Sequence, residues 1–243
     1  MLVLAHRGLS AHYPENTQIA FEKSIEQGAK AIECDVHQLA NEFIIYHDFS
    51  FKRMTGQDLT LHDLDSQAET GLELFKRLRV QGAHKIMNLH ECLQVIDGRV
   101  LLNLEIKSLR EPANFVKTLL CATRQYPCNI VLSSFNHPLL KQLQNEMRQV
   151  NFDSEVQFAA LVAHLPIDSA QFAVDLNTDI AAIDAHLLDA NFVNHAHKHG
   201  LQVWCYTVND EHLLEKLYKY GVDGIFSDDV AWANALVKRI EKT

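Results

Sequence analysis

Short apolar runs of strand length alternate with stretches of helical periodicity along most of the chain. Residues 3–5 form an apolar run that ends at His6, and segments 31–37 and 100–107 alternate apolar and polar residues with a period of two, as strands do. Amphipathic stretches separate these segments from five further predicted strands, at 129–135, 156–162, 179–185, 202–208 and 224–228. Strands that alternate with helices form parallel sheets. Eight such strands predict a closed (β/α)₈ barrel, the TIM-barrel fold of the α/β class.

One further strand departs from this alternation. Residues 43–48 are strand-like, but only residues 39–42 separate them from the strand before. That connection is too short for a parallel crossover, so an antiparallel hairpin is predicted. From about residue 49 to 98 the strand pattern is lost, and so long a connection is unusual. We therefore predict one domain over residues 1–243 with an insertion subdomain at about 49–98, after His47-Asp48.

Three carboxylates are predicted at the end of the barrel where the strands terminate, which we call the mouth. Glu33 and Asp35 share one face of the second strand, and Glu105 shares a face with Lys107 on a later strand. Carboxylates that point together into a core are costly unless a cation neutralises them. An all-oxygen set favours a hard divalent metal, Mg²⁺ or Ca²⁺, over zinc. The alternative is that lysines and backbone amides bind these carboxylates.

Two histidines, His6 and His47, end separate strands near the carboxylates. Histidine titrates close to neutrality, so one could accept a proton from an attacking oxygen while the other donates one to a leaving oxygen. Arg7 and Lys107 are candidate phosphate ligands. Each histidine taken alone is equally compatible with a hydrogen-bonded rim residue, and the pattern does not decide which of the two is the base.

The charge balance restricts the partners of the chain. It carries 31 acidic and 22 basic residues, a net charge of −9, which argues against a general binder of nucleic acids or of anionic membranes. Phosphate chemistry therefore needs a local basic patch. The chain begins directly with a strand and contains no run of about 18 apolar residues, so we expect a cytoplasmic protein without stable membrane insertion.

Eight short motifs, taken in their order, resemble the glycerophosphodiester phosphodiesterase family over almost the whole chain. They are His6-Arg7-Gly8, Pro14-Glu15-Asn16-Thr17, Glu33-x-Asp35, His47-Asp48, Glu105-Ile106-Lys107, Ser134-Phe135-Asn136, Trp204 with Thr207-Val208-Asn209, and Asp223-Gly224-Ile225-Phe226-Ser227-Asp228. Any one tetrapeptide would be weak evidence, but the ordered set is specific.

The resemblance implies a (β/α)₈ barrel with an insertion after the second histidine, and an enzyme that hydrolyses glycerophosphodiesters to an alcohol and sn-glycerol 3-phosphate. It further implies that the 2-hydroxyl of the glycerol attacks first and gives a cyclic phosphate that water then opens. The roles it implies are acid and base for His6 and His47, metal binding for Glu33, Asp35 and Glu105, and phosphate binding for Arg7 and Lys107.

Several other side chains have two interpretations. Phe135 and Trp204 are candidate contacts for the substrate, with packing in the core as the alternative. The basic residues of the insertion, Arg53 among them, could attract phosphate but are interpreted mainly as a solvated surface. The repeated histidines of segment 195–199 suggest a metal site, but they precede Gly200 and so indicate a helix C-terminus at the end of the barrel opposite the mouth.

The predicted partner is a small water-soluble glycerophosphodiester; the oligomeric state is not predicted. One alternative is a phospholipase D-like enzyme of the same barrel type that acts on lysophospholipids, although few apolar residues occupy the entrance at 47–55. Another alternative is a barrel that binds phosphodiesters without catalysis. The segment 85–91 and Ser227 depart from the family pattern, which leaves the substrate preference open more than the activity.

Overall fold

The computed structural model describes residues 1–150, 152 and 156–242. Its strands are β1 (Leu2–His6), β2 (Ala31–Leu39), β3 (Glu42–Ile45), β4 (Arg79–Val80), β5 (His84–Lys85), β6 (Leu101–Ser108), β7 (Ile130–Ser134), β8 (Val156–Val162), β9 (Ile180–Asp184), β10 (Gln202–Tyr206) and β11 (Gly224–Ser227). Strands β1, β2 and β6 to β11 pair in parallel, and β1 pairs with both β2 and β11, which closes the barrel. The predicted (β/α)₈ barrel is confirmed.

The helices surround the barrel. They are α1 (Gln18–Glu26), α2 (Lys52–Thr55), α3 (Leu61–Asp65), α4 (Ala68–Arg77), α5 (Leu89–Ile96), α6 (Pro112–Gln125), α7 (His137–Gln149), α8 (Gln171–Leu176), α9 (Ala190–Lys198), α10 (Glu211–Tyr220) and α11 (Val230–Ile240). Side-chain caps fix where several begin: Thr17 accepts from the backbone of Ala20 at α1, and Asn88 forms a capping box with Glu91 at α5. Among the described residues, no helix has the length and apolarity needed to cross a membrane.

The period-two alternation separates two apolar layers. On β2, the side chains of Ile32, Cys34 and Val36 pack against the surrounding helices, and the intervening side chains point into the barrel. The lower interior is apolar and includes Trp204 and Phe226. The interior side chains of Glu33, Asp35 and Glu105 lie above this apolar layer, toward the mouth.

The absence of a side chain at Gly224 leaves room for the indole of Trp204, a large interior side chain. A Cβ atom added to Gly224 would lie 2.7 Å from Cδ1 of Trp204, so only glycine at this position leaves space for the indole. Trp204 is 1% exposed and meets Phe226 edge-on with ring centroids 5.8 Å apart. This packing closes the interior below the mouth.

The segment after β2 adds structure beside the barrel. The predicted hairpin is confirmed: β3 runs antiparallel to β2, with Val36 opposite Ile45. Helices α2 to α4 and the short pair β4–β5 follow, and Phe51, Leu64 and Phe75 belong to a second apolar cluster there. The pair β4–β5 was not predicted because two residues per strand are too few to show a period of two.

The extent of the insertion remains a prediction. Helix α5 lies within its predicted limits, yet Leu89, Cys92 and Leu93 of this helix pack in the main core of the barrel. The apolar cluster of α2 to α4 is by contrast separate from that core.

A comparison of Gly8 with Gly28 separates the effect of close packing on stability from the effect of backbone strain. Gly8 and Gly28 have the same φ of +83°, but a Cβ atom on Gly8 would lie 2.7 Å from the backbone carbon of Ala20, whereas Gly28 has nothing within 4 Å. We expect G8A to lower the free energy of unfolding in urea by about 1–3 kcal/mol more than G28A, because the clash adds to a strain common to both. Equal losses would contradict this account of the turn.

Candidate active site

His6, the last residue of β1, is held by a carboxylate from the neighbouring strand end. Its Nδ1 lies 2.6 Å from Oδ1 of Asp228, and Asn209 donates to the other oxygen of Asp228 at 2.6 Å. Burial acts to raise the pKa of Asp228, but hydrogen bonds from His6, Asn209 and Ser10 outweigh it and lower the pKa. A carboxylate only accepts hydrogen bonds, so Nδ1 of His6 carries the proton and Nε2 is free for proton transfer.

His47 lies two residues beyond β3 and has the same kind of partner. Its Nδ1 lies 2.6 Å from Oδ1 of Asp48, and its backbone carbonyl accepts a hydrogen bond from Nε2 of His37 at 2.9 Å. Burial acts to raise the pKa of Asp48, but hydrogen bonds from Arg53 and His47 lower it to about 2. The mouth therefore contains two histidine–carboxylate pairs, each with Nε2 as its available nitrogen.

The three predicted metal ligands come together. Oxygen atoms of Glu33, Asp35 and Glu105 lie within 4.8 Å of one another, and Asp35 stands directly opposite Glu105 in the parallel pairing of β2 with β6. Burial and the neighbouring Asp35 and Glu105 raise the pKa of Glu33 well above its usual range, and burial together with Asp35 raises that of Glu105.

The hydrogen bonding of this cluster is incomplete. Oε1 of Glu33 and Oδ1 of Asp35 are buried and have no hydrogen-bond partner among the described residues. Buried carboxylate oxygens without partners are costly, and hard oxygen donors at this spacing match the ligand preference of Mg²⁺ and Ca²⁺. The residues present therefore fit a divalent cation.

Two cations border the carboxylates and compensate them only in part. The backbone N–H of Arg7 donates to Glu33 at 3.0 Å, and its Nε lies 3.2 Å from Asp35. Nζ of Lys107 lies 2.7 Å from Glu105 and 3.7 Å from Asp35. The contacts of the alternative interpretation, a lysine and a backbone amide, are thus present, but two cations face three carboxylates.

The structure separates the two aromatic candidates. Phe135 directly follows β7 at the mouth, is 42% exposed and has Nζ of Lys107 5.9 Å from its ring centroid. Trp204 lies deep in the interior, where its indole N–H donates to Gln202 at 3.0 Å near the start of β10. The structure does not bring Trp204 to the mouth and agrees with the alternative interpretation, packing in the core.

Arg53 and Glu15 contact the site but had no role in it assigned from the sequence. Arg53, interpreted as a solvated residue, donates to Asp48 at 2.6 Å and to both oxygens of Glu15, at 2.7 and 2.9 Å. Glu15 in turn accepts from Arg7 at 3.0 Å. Glu15 lies within a recognised motif, so its position could have suggested a role. No local pattern distinguishes Arg53 from the other basic residues of its segment.

A cavity opens beside these groups. It has a volume of about 660 Å³, and His47, Phe49, Arg53 and Lys107 are among the residues that line it. Small-molecule sites typically occupy a few hundred to a thousand Å³. A small phosphodiester can therefore reach His47 and Lys107 from solvent.

Comparisons with known proteins agree with this geometry. Residues 6–231 match the Glycerophosphoryl diester phosphodiesterase family. A glycerophosphodiester phosphodiesterase of Caldanaerobacter subterraneus subsp. tengcongensis is 29% identical over 98% of both chains, and a lysophospholipase D of Rattus norvegicus is 21% identical over 93% of this chain and 82% of its own length.

A solved structure gives the same result. The phosphodiesterase of Oleispira antarctica, in complex with its product sn-glycerol 3-phosphate, superposes with a TM-score of 0.84 at 26% identity, covering 98% of this chain and 97% of its own. The family match spans nearly all of the described barrel, from His6 at the end of β1 into α11. The chain therefore belongs to the glycerophosphoryl diester phosphodiesterase family of hydrolases, as the ordered motifs of its sequence predicted.

Proposed function

We propose that this enzyme hydrolyses small glycerophosphodiesters to an alcohol and sn-glycerol 3-phosphate, with a divalent metal, Mg²⁺ or Ca²⁺, as its cofactor. The observation that carries the proposal is the cluster of Glu33, Asp35 and Glu105 at the mouth that also contains His6 and His47. The product bound to the relative from Oleispira antarctica supports the choice of substrate class.

In this proposal Glu33, Asp35 and Glu105 hold the metal, which would supply charge neutralisation and polarise a phosphoryl oxygen. The guanidinium of Arg7 and the ammonium of Lys107 donate to phosphate oxygens, which gives the local basic patch that an acidic protein requires. Phe135 contacts the apolar edge of the substrate.

The two histidines transfer the protons. One accepts the proton of the glycerol 2-hydroxyl at Nε2 as that oxygen bonds to phosphorus, and the other donates a proton to the alcohol oxygen as its bond to phosphorus breaks. Water then opens the cyclic phosphate with the roles reversed. Asp228 and Asp48 hold equivalent positions at Nδ1 of the two rings, so the geometry supports either order of acid and base.

The histidine roles can be tested by substitution. We expect H6A and H47A each to lower kcat for glycerophosphocholine by about 10²–10⁴, because each removes a proton-transfer group. His195, in the last turn of α9 away from the mouth, supplies the control, and H195A is expected to keep wild-type activity. The measurement is release of sn-glycerol 3-phosphate. Full activity in the H6A/H47A double variant would rule out the acid–base assignment.

Metal binding can be measured without activity. After chelation, we expect millimolar MgCl₂ or CaCl₂ to raise Tm by several degrees, since a ligand at 100 times its Kd stabilises by about 2.7 kcal/mol. E33Q should remove the shift and leave the metal-free protein at least as stable, because the other carboxylates and burial already disfavour a charged Glu33. The control is E73Q, whose glutamate pairs with Lys76 away from the mouth. An unchanged wild-type Tm with both metals, or an equal shift in E33Q, would contradict the assignment.

A second candidate substrate, a lysophospholipid, is favoured by one observation. The large apolar side chains exposed in the described part of the chain all lie on loops at the mouth end: Phe49, Phe135, Leu165, Ile167 and Leu187, with exposed fractions from 40% to 101%. The entrance at 47–55 has few apolar residues, but loops after β7, β8 and β9 supply others. An acyl chain could lie along them, and the rat relative is named a lysophospholipase D.

The two substrates can be distinguished by specificity. We expect kcat/KM to be higher for glycerophosphocholine than for lysophosphatidylcholine, because the residues around the cavity beside His47 include Lys52, Arg53 and Lys107, whose charges favour a compact phosphodiester. A reversed ratio would favour the lysophospholipid. In that case I167S and L187S should lower kcat/KM for the lysolipid alone, since both side chains belong to the exposed apolar set at the mouth.

A further inference from the structure

Arg53 of α2 binds two acidic side chains at once. Its Nε donates to Oδ2 of Asp48 at 2.6 Å. Its two terminal nitrogens donate to the two oxygens of Glu15, at 2.9 and 2.7 Å. Arginine offers these donors in one rigid plane, whereas the single ammonium of lysine has no such fork. The guanidinium thus fixes the separation and orientation of the two carboxylates.

Each of these carboxylates also contacts a proposed site residue. Asp48 does so with the oxygen that Arg53 does not bind, and Glu15 does so with an oxygen that Arg53 also binds. Oδ1 of Asp48 lies 2.6 Å from Nδ1 of His47, and Oε1 of Glu15 accepts from Arg7 at 3.0 Å. A continuous chain of hydrogen bonds therefore runs from the imidazole of His47 through Arg53 to the guanidinium of Arg7.

Within this chain of hydrogen bonds, the orientation of the Asp48 carboxylate depends most on Arg53. Asp48 follows His47 directly in the sequence, and its carboxylate could rotate freely if only one oxygen were bound. With Oδ1 on His47 and Oδ2 on Arg53 the carboxylate plane is fixed, and so is the direction in which Nε2 of His47 points. Arg53 is itself 48% exposed, and exposed ion pairs add little to stability. Its contribution is therefore to geometry.

We propose that Arg53 is a positioning residue that orients His47, through Asp48, relative to the phosphate ligand Arg7. The proposal deepens the function proposed above and rests on it, since it assigns Arg53 to the proton-transfer step. It differs from a purely structural role, in which Arg53 would only attach α2 to the barrel, because it predicts a loss of turnover in a protein that stays folded.

Substitution of Arg53 separates these two roles. We expect R53Q to lower kcat for glycerophosphocholine about 10- to 100-fold with KM changed less than about threefold, because small misplacements of a catalytic group have effects of this size. R53K should recover part of the loss through one of the two contacts. Arg79 lies in the same segment and donates only to backbone carbonyls in the contacts described, so R79Q is the control with the same charge change and unaltered kcat.

The route through Asp48 is tested by combining variants. If Arg53 acts through Asp48, R53Q introduced into D48N should change kcat by less than about twofold, because the coupled partner is already lost. Wild-type kcat in R53Q, a loss explained by a smaller folded fraction, or additive losses in R53Q/D48N would each overturn the proposal.

A readout without substrate separates this proposal from the function on which it rests. In ¹⁵N NMR spectra of the imidazoles, with the His47 signals assigned from their absence in H47A, R53Q should shift the resonance of Nδ1 of His47 and R79Q should not. If the wild-type enzyme hydrolysed no glycerophosphodiester, the proposed function would fail while the NMR comparison still decided the positioning role. An unchanged His47 resonance in R53Q would overturn that role.

Discussion

The repulsion among three buried carboxylates is the constraint on which the rest of the mouth depends. Glu33 and Asp35 are almost fully buried, and Asp35 faces Glu105 across one parallel pairing. Such a cluster is tolerable only where positive charge and hydrogen-bond donors surround it. The backbone N–H of Arg7, the side-chain amide of Asn16 and the ammonium of Lys107 all point at it. They neutralise the cluster incompletely, and that deficit fits the proposed metal site better than an ion-pair network.

The same residues explain where the proposed phosphate ligands lie. Arg7 and Lys107 are bound to the carboxylates that would hold the metal. A bound cation would supply the positive charge that these carboxylates require. The donors of the arginine and the lysine would then be available to phosphate oxygens. Binding of the metal and of the phosphodiester should therefore favour each other. An acidic protein with a net charge of −9 can in this way bind an anion without a basic surface.

The sequence predicted the parts of the structure that repeat with a regular period. Alternation on β2 and β6 placed Glu33, Asp35 and Glu105 on one interior face, because period-two patterns report which face a side chain occupies. They do not report depth, so the alternation could not decide whether Trp204 contacts the substrate or packs in the core, and the structure places it in the apolar interior. Arg53 escaped detection for a different reason: Asp48 lies only five residues before it, but Glu15 lies 38 residues away in the loop after β1, and only the folded barrel brings Glu15 to Arg53.

The fold orients the two histidines differently, and this difference explains why a residue of the segment after β3 contacts the partner of His47. His6 ends a barrel strand, and the adjacent strand β11 leads directly to its partner Asp228. His47 follows β3, a four-residue strand at the end of the sheet order, so within the described part of the chain no strand lies beyond it to supply a carboxylate. Its backbone is held by His37 and its ring by the next residue, Asp48. The remaining free orientation, that of the Asp48 carboxylate, is fixed by Arg53 of α2. A proposed proton-transfer group that follows a hairpin strand rather than a barrel strand needs an additional element beside it, and in this chain the segment that follows β3 supplies that element.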